Sequence, residues 1–155
     1  MLEVHPGSIS VGVDGCGVPT YNESLTQLAK TYCKLAMANP ADGSDKLGTV
    51  QKAMMSEPFM VAGSDRLDTE LMQVAPFVAK VGSQGIYCVG VPVKQLAIAI
   101  KIESGSEEAG ECAAVELLRK MGLLEREALY ALEKYWHRPV VTCTERTVGR
   151  YQAVF

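Results

Sequence analysis

Apolar residues recur at helical spacing through much of this chain and alternate at strand spacing only in its middle. Leu25, Leu28, Ala29, Tyr32, Leu35 and Ala36 share one helical face, which predicts an amphipathic helix over residues 22–38. Thr20-Tyr-Asn-Glu23 has capping-box spacing at its start. N-P-A-D-G-S-D at 39–45 reads as a loop, and a second helix is expected over 45–56, ended by Pro58. A turn at 62–65 then leads into a short helix reaching residue 74 and closed by Pro76. From Phe77 the pattern changes to three short runs, F-V-A-K-V-G, G-I-Y-C-V-G-V-P and L-A-I-A-I-K-I, with turn signals between them, which predicts consecutive antiparallel strands. In the third run Leu96, Ile98, Ile100 and Ile102 lie on one face. Ala97, Ala99 and Lys101 lie on the other, and this small face leaves room for a close-packed helix. Ser106 with Glu108 and Glu111 opens a helix that Gly122 ends after Met121. Ala128, Leu129, Leu132, Tyr135 and Trp136 mark another over 125–136, W-H-R-P ends it at His137, and V-G-R-Y-Q-A-V-F reads as a last strand. The fold class is therefore α/β (α+β), with antiparallel strands flanked by helices.

A chain of 155 residues is read as a single domain over 1–155, long enough to bury roughly 70% of its unfolded surface. Its net charge of −3, with no cluster of Lys and Arg, argues against nucleic acid or an anionic membrane surface as partner and favours a small-molecule substrate. The five cysteines are odd in number and scattered, with no C-x-x-C pair, so neither a disulfide framework nor a zinc knuckle is indicated and a reducing compartment is expected. The N-terminal M-L-E-V-H-P-G lacks a basic segment followed by an apolar run, and no window approaches the ~20 apolar residues of a membrane span. The expected location is cytoplasmic.

Two stretches carry candidate chemistry. G-V-D-G-C-G-V-P at 12–19 sets Asp14 and Cys16 among glycines, which permit positive φ and close approach, so the two side chains are presented to a metal, a substrate or water. The plainer alternative is a surface turn in which Asp14 bonds its own backbone and Cys16 is a small buried apolar group. Lys80 occupies a K-x-G on the first predicted strand, where serine acyl enzymes of the β-lactamase and penicillin-binding type hold an active-site lysine. An isolated K-x-G is more often a solvated strand lysine. Such a mechanism also needs a nucleophilic Ser-x-x-Lys, and the chain has none; Thr31-Tyr-Cys-Lys34 and Thr49-Val-Gln-Lys52 are better explained as helix surface. Zinc takes at least three protein ligands, and Cys16 has at most His5 and Asp14 to converge with it.

These stretches together resemble one family. G-V-D-G-C-G-V-P-T-Y with the L-x-x-L-A-x-x-Y-x-x-L helix comes first, followed by A-M-M-S-E-P-F-M-V-A-G-S-D-R-L-D-T-E-L-M, A-K-V-G-S-Q-G and L-A-I-A-I-K-I-E-S-G. L-L-R-K-M-G-L-L and V-G-R-Y-Q-A-V-F complete the set. They resemble, in family order, the bacterial L-asparaginase II family, the thermolabile or Rhizobium-type asparaginases. The resemblance implies a fold similar to serine β-lactamases and hydrolysis of L-asparagine to aspartate and ammonia through serine and lysine residues. It assigns Lys80 to assist the serine nucleophile, Asp14 to the active site, and Cys16 to zinc, as the one zinc ligand it identifies in this chain.

The resemblance covers what looks like the C-terminal half of a family member. The implied enzyme is incomplete without an N-terminal half carrying the Ser-x-x-Lys nucleophile and the remaining zinc ligands, so a partner chain supplying that half, or a homodimer, is expected. Within the retained half, Gln84 stands where K-x-G-A-E-G is expected, Glu108 where an arginine usually precedes alanine, and Thr142-Cys-Thr-Glu145 where Asn-x-x-Gly is usual. A rival reading is a non-catalytic binding or assembly module derived from this fold. A third is a free-thiol redox enzyme using Cys16.

Overall fold

The three β-rich runs pair in sequence order. In a computed structural model that describes residues 9–39, 41–42 and 45–155, β3 (Val78–Gly82), β4 (Ile86–Val91) and β5 (Leu96–Lys101) form an antiparallel sheet of order β3-β4-β5. Its register sets Lys80 opposite Cys88, Cys88 opposite Ala99, and Gly90 opposite Ala97. Because side chains alternate, Lys80, Cys88, Gly90, Ala97 and Ala99 share one face, while Ala79, Tyr87, Val89, Val91 and Ile98 share the other.

That second face carries the main core. Leu67 and Leu71 of α4 (Leu67–Val74), Val115 and Leu118 of α5 (Glu107–Lys120), and Leu132 and Tyr135 bury their side chains in the cluster that contains Tyr87 and Val89. The helix expected from Ser106 is present, with Ser106 Oγ accepting from Ala109 N at 3.1 Å and Gly122 at φ +65° beyond its C-terminal end. The first face receives α1 (Leu25–Ala36), which packs on β4 and β5. The small residues expected to admit a helix do so: a Cβ added at Gly90 would lie 2.9 Å from both Ala36 Cβ and Tyr32 O. At the end of α1, the Gln51 amide donates to the carbonyls of Leu35 (3.0 Å) and Ala36 (2.7 Å), joining it to α2 (Lys46–Ser56).

Several sequence expectations are corrected in detail. The helix predicted over 22–38 begins later, because Ser24 is its cap and accepts from Gln27 N at 3.2 Å. Thr20 instead lies in β2 (Pro19–Asn22), paired antiparallel with β1 (Ser10–Val13). Pro58 ends α2 and also opens a further short helix, α3 (Pro58–Ala62), since its missing N–H costs nothing in a first turn. Thr69 Oγ1 reaches back to the Pro58 and Gly63 carbonyls and ties α3 to α4. The helix over 125–136 is two, α6 (Arg126–Ala131) and α7 (Glu133–Trp136), broken at Leu132, with His137 as the expected end. The last strand, β7 (Thr147–Arg150), pairs only with β6 (Pro139–Val141) in a separate hairpin and does not join the main sheet. No helix among the described residues is long and apolar enough to cross a membrane.

The last helical turn is held by a buried carboxylate. Glu116 accepts two 2.8 Å hydrogen bonds from Arg119 and one of 2.9 Å from Trp136 Nε1. The Arg119 bonds hold its carboxyl down to about 2, against the opposing cost of burial and with help from Trp136.

Two outcomes are expected. Gly90→Val forces α1 away from the sheet and lowers unfolding free energy by about 1–3 kcal/mol, read from urea denaturation; an unchanged midpoint would contradict the close approach. Because Glu116 is depressed in the folded state, its contribution is fully present above its ordinary value of 4.5 and is lost as pH falls toward about 2. Glu116→Gln should therefore flatten the melting temperature against pH across that window, and a variant with the parent's acid dependence would exclude the assignment.

Candidate active site

The D-G-C-G segment is the loop of the β1–β2 hairpin. Asp14 N donates to Val18 O (2.9 Å) and Gly17 N to Asp14 O (2.8 Å), and Gly17 takes φ +83°, the left-handed conformation that glycine permits. The Asp14 carboxylate accepts from Gly15 N at 2.7 Å, and Cys16 Sγ lies 3.9 Å from its other oxygen. Both residues are exposed, as are all residues of the two strands. Asp14 bonds its own backbone, as the plainer reading of the sequence expects, but Cys16 is exposed where that reading buries it. No hydrogen bond or ion pair joins either to Lys80 among the described residues.

Lys80 has other company. It lies on β3 opposite Cys88, its Nζ donates to Val81 O at 3.0 Å, and Asp68 Oδ2 lies 3.5 Å away. Asp68 belongs to the first turn of α4 and is only 1% exposed, whereas the Lys80 side chain is 38% exposed. The same Asp68 oxygen accepts the Val81 N–H at 3.0 Å, so α4 occupies the outer edge of β3 and satisfies a strand amide that would otherwise be unpaired. Its second oxygen, Oδ1, is buried, as is the Tyr87 hydroxyl, and the phenol and the Asp68 carboxylate interact.

The surroundings are apolar and keep neighbouring groups neutral. Burial pushes the Cys88 thiol up to about 12. Burial also raises the Tyr32 phenol of α1, with further contributions from Cys88 and Asp68. On the opposite face Tyr87 is raised well above its ordinary range, by burial first and then by Asp68. Thus α4 and β3 set one partly exposed ammonium beside one buried carboxylate, with Cys88 of β4 opposite Lys80. That arrangement presents a fixed positive charge at a sheet edge, suited to stabilising negative charge that develops on a substrate.

Asp68 and Tyr32 were not singled out from the sequence. Asp68 stands there as one of four charges in A-G-S-D-R-L-D-T-E-L-M and Tyr32 as one apolar-face residue; only the packing of α4 against β3 brings Asp68 to Lys80. The residues that depart from the resembling family occupy turns and a cap. Gln84 (φ +59°) and Glu145 (φ +60°) are left-handed corners of the β3–β4 and β6–β7 connections. The Gln84 carbonyl accepts from Lys101 Nζ. Glu108 lies in the first turn of α5, where a hydrogen bond to its own backbone N–H, then one from Ser106, lowers its carboxyl.

Zinc does not find a complete donor set. Among the described residues no group of three or more His, Cys, Asp and Glu could hold a metal ion, so Asp14 and Cys16 bring at most two donors. His5 lies outside the described residues.

The five thiols are all free, with Cys16 and Cys143 exposed and Cys88 and Cys112 buried. Alkylation followed by peptide mass spectrometry should label Cys16 and Cys143 first and reach Cys88 and Cys112 only on unfolding. Labelling of Cys88 as fast as Cys16 would contradict the packing of α1 on β4.

A search of curated protein sequences finds no significant match to the chain. The family description "L-asparaginase II" matches residues 1–153. With nearly the whole chain so covered, this protein belongs to the L-asparaginase II family.

Proposed function

We propose that the chain is the C-terminal portion of an amidohydrolase that converts L-asparagine and water to L-aspartate and ammonia. The observation that carries this reading is the family match over residues 1–153, in a chain with no Ser-x-x-Lys of its own. A complementary N-terminal half, on a partner chain or preceding this one, supplies the serine nucleophile and its lysine. The whole then has a fold similar to serine β-lactamases and acts in the cytoplasm.

In the completed site the Lys80 ammonium, exposed on one side and anchored on the other, faces the reacting amide. It lowers the energy of the negative charge that builds on the serine oxygen and the tetrahedral carbon's oxygen as the amide is attacked. Asp14, on its exposed loop, contributes a carboxylate that orients the substrate's ammonium group. Cys16 would serve as one thiolate ligand if zinc binds, the remaining ligands coming from the other half; none of the steps assigned to Lys80 and Asp14 runs through the metal.

A specific observation supports the rival binding module: Val11, Val13, Val18 and Tyr21 of the first hairpin expose large apolar side chains. One experiment separates the two. Ammonia release from L-asparagine is measured for this chain alone and after adding a separately expressed N-terminal half. The proposal expects activity only on addition, and Lys80→Ala should then lower kcat by about 100-fold, the loss typical of one preorganised charge-stabilising group. Substantial activity of the chain alone would show that its nucleophile lies within it. A chain that binds its partner with unchanged affinity as Lys80→Ala, in a complex that releases no ammonia, would favour the module.

A further inference from the structure

We infer that Asp68 is a positioning residue for Lys80, holding its ammonium at the edge of β3 where the proposed reaction uses it; the inference rests on the catalytic reading of Lys80. A lysine that reaches from a strand toward solvent ordinarily samples many rotamers, and ordering it costs side-chain entropy. Here Nζ is tied at two points, the Val81 carbonyl at 3.0 Å and Asp68 Oδ2 at 3.5 Å. The tie is itself rigid, because Asp68 is fixed in the first turn of α4 and its Oδ2 also accepts the Val81 N–H at 3.0 Å. One carboxylate oxygen thus fixes both the strand and the side chain that strand carries.

The dependence runs both ways. Asp68 is 1% exposed, and the buried Tyr87 phenol interacts with it without supplying a charge. A buried carboxylate is costly to leave unpaired, and among the described residues Lys80 is the one cation within ion-pair distance. Arg66, two positions earlier in the chain, feels the Asp68 charge but pairs with Glu107 at 3.0 Å. Removing either member of the Asp68–Lys80 pair therefore releases or strands the other, whereas a surface lysine would lose nothing.

The test uses Asp68→Asn in the full chain, because asparagine retains a carbonyl oxygen for the Val81 N–H while removing the charge. By NMR, the Lys80 13Cε–1Hε correlation should move to the position of an exposed lysine while hydrogen exchange at Val81 stays as slow as in the parent. An unmoved Lys80 signal overturns the inference, as does a movement accompanied by loss of Val81 protection, which would mark a merely structural tie. Should Asp68→Asn fail to fold, Lys80→Met gives the reciprocal reading. The Asp68 13Cγ resonance should shift in that variant and the carboxyls of Asp14 and Asp65 should not, and an unshifted Asp68 overturns the inference. In the completed enzyme, Asp68→Asn, Lys80→Met and the double variant should lose kcat by one common factor with KM little changed, since residues that act as a unit are not additive. Multiplying losses would overturn the pairing. Full activity of Lys80→Met would instead refute the catalytic reading of Lys80, and the resonance measurements would still decide whether Asp68 positions it.

Discussion

The approach of α1 to the sheet depends on the absence of a side chain at Gly90, and much else follows from it. With Ala36 and the Tyr32 carbonyl at 2.9 Å from where a Cβ would stand, the helix lies almost on the backbone of β4, opposite Ala97 of β5. Such a contact requires small residues on one sheet face only. The other face is free to carry Tyr87, Val89, Val91 and Ile98 into the main core with α4 and α5. An antiparallel sheet of three strands is thereby covered on both sides, which gives it the apolar contacts that a hairpin alone lacks.

The same geometry makes a chemical environment beside Lys80. Because α1 closes over β4, Cys88 and Tyr32 are withdrawn from water and kept neutral. Because α4 abuts the outer edge of β3, a carboxylate that would be solvated on an isolated helix is buried against a strand amide and a lysine. The Lys80 ammonium is thus set beside the Asp68 carboxylate and opposite the buried Cys88, and it keeps one open side. By contrast, Asp14 and Cys16 lie on a hairpin whose strands are exposed throughout, so their loop holds its shape by internal hydrogen bonds and owes little to the core.

The pattern of apolar positions was a good guide wherever one element met water on one side. Leu96, Ile98 and Ile100 against Ala97, Ala99 and Lys101 predicted both the strand and the helix on its small face. Ser106 and Gly122 bracketed α5, and Pro58 and Pro76 fell at helix boundaries. It was a poor guide where two local signals competed. Thr20 and Glu23 have capping spacing, but strand pairing with Gly12 holds Thr20 and leaves the cap to Ser24. The periodicity over 125–136 continues through Leu132, yet the chain bends there so that Leu132 and Tyr135 both reach the core.

Sequence by itself determined α1, α2, α4 and α5, the antiparallel β3-β4-β5 sheet and the family, because helical and strand periods and short motifs are local properties of the chain; the β1–β2 hairpin, α3, the break between α6 and α7, and β6 came only from the structure. It also identified Lys80, Asp14 and Cys16 as the side chains carrying candidate chemistry. Only the tertiary structure decided their company: Lys80 beside Asp68 and opposite Cys88, Asp14 with Cys16 on a separate exposed hairpin. Residues 68 and 80 are joined through the packing of a helix end against a strand edge, and no spacing along the chain encodes which strand amide a helix carboxylate will meet.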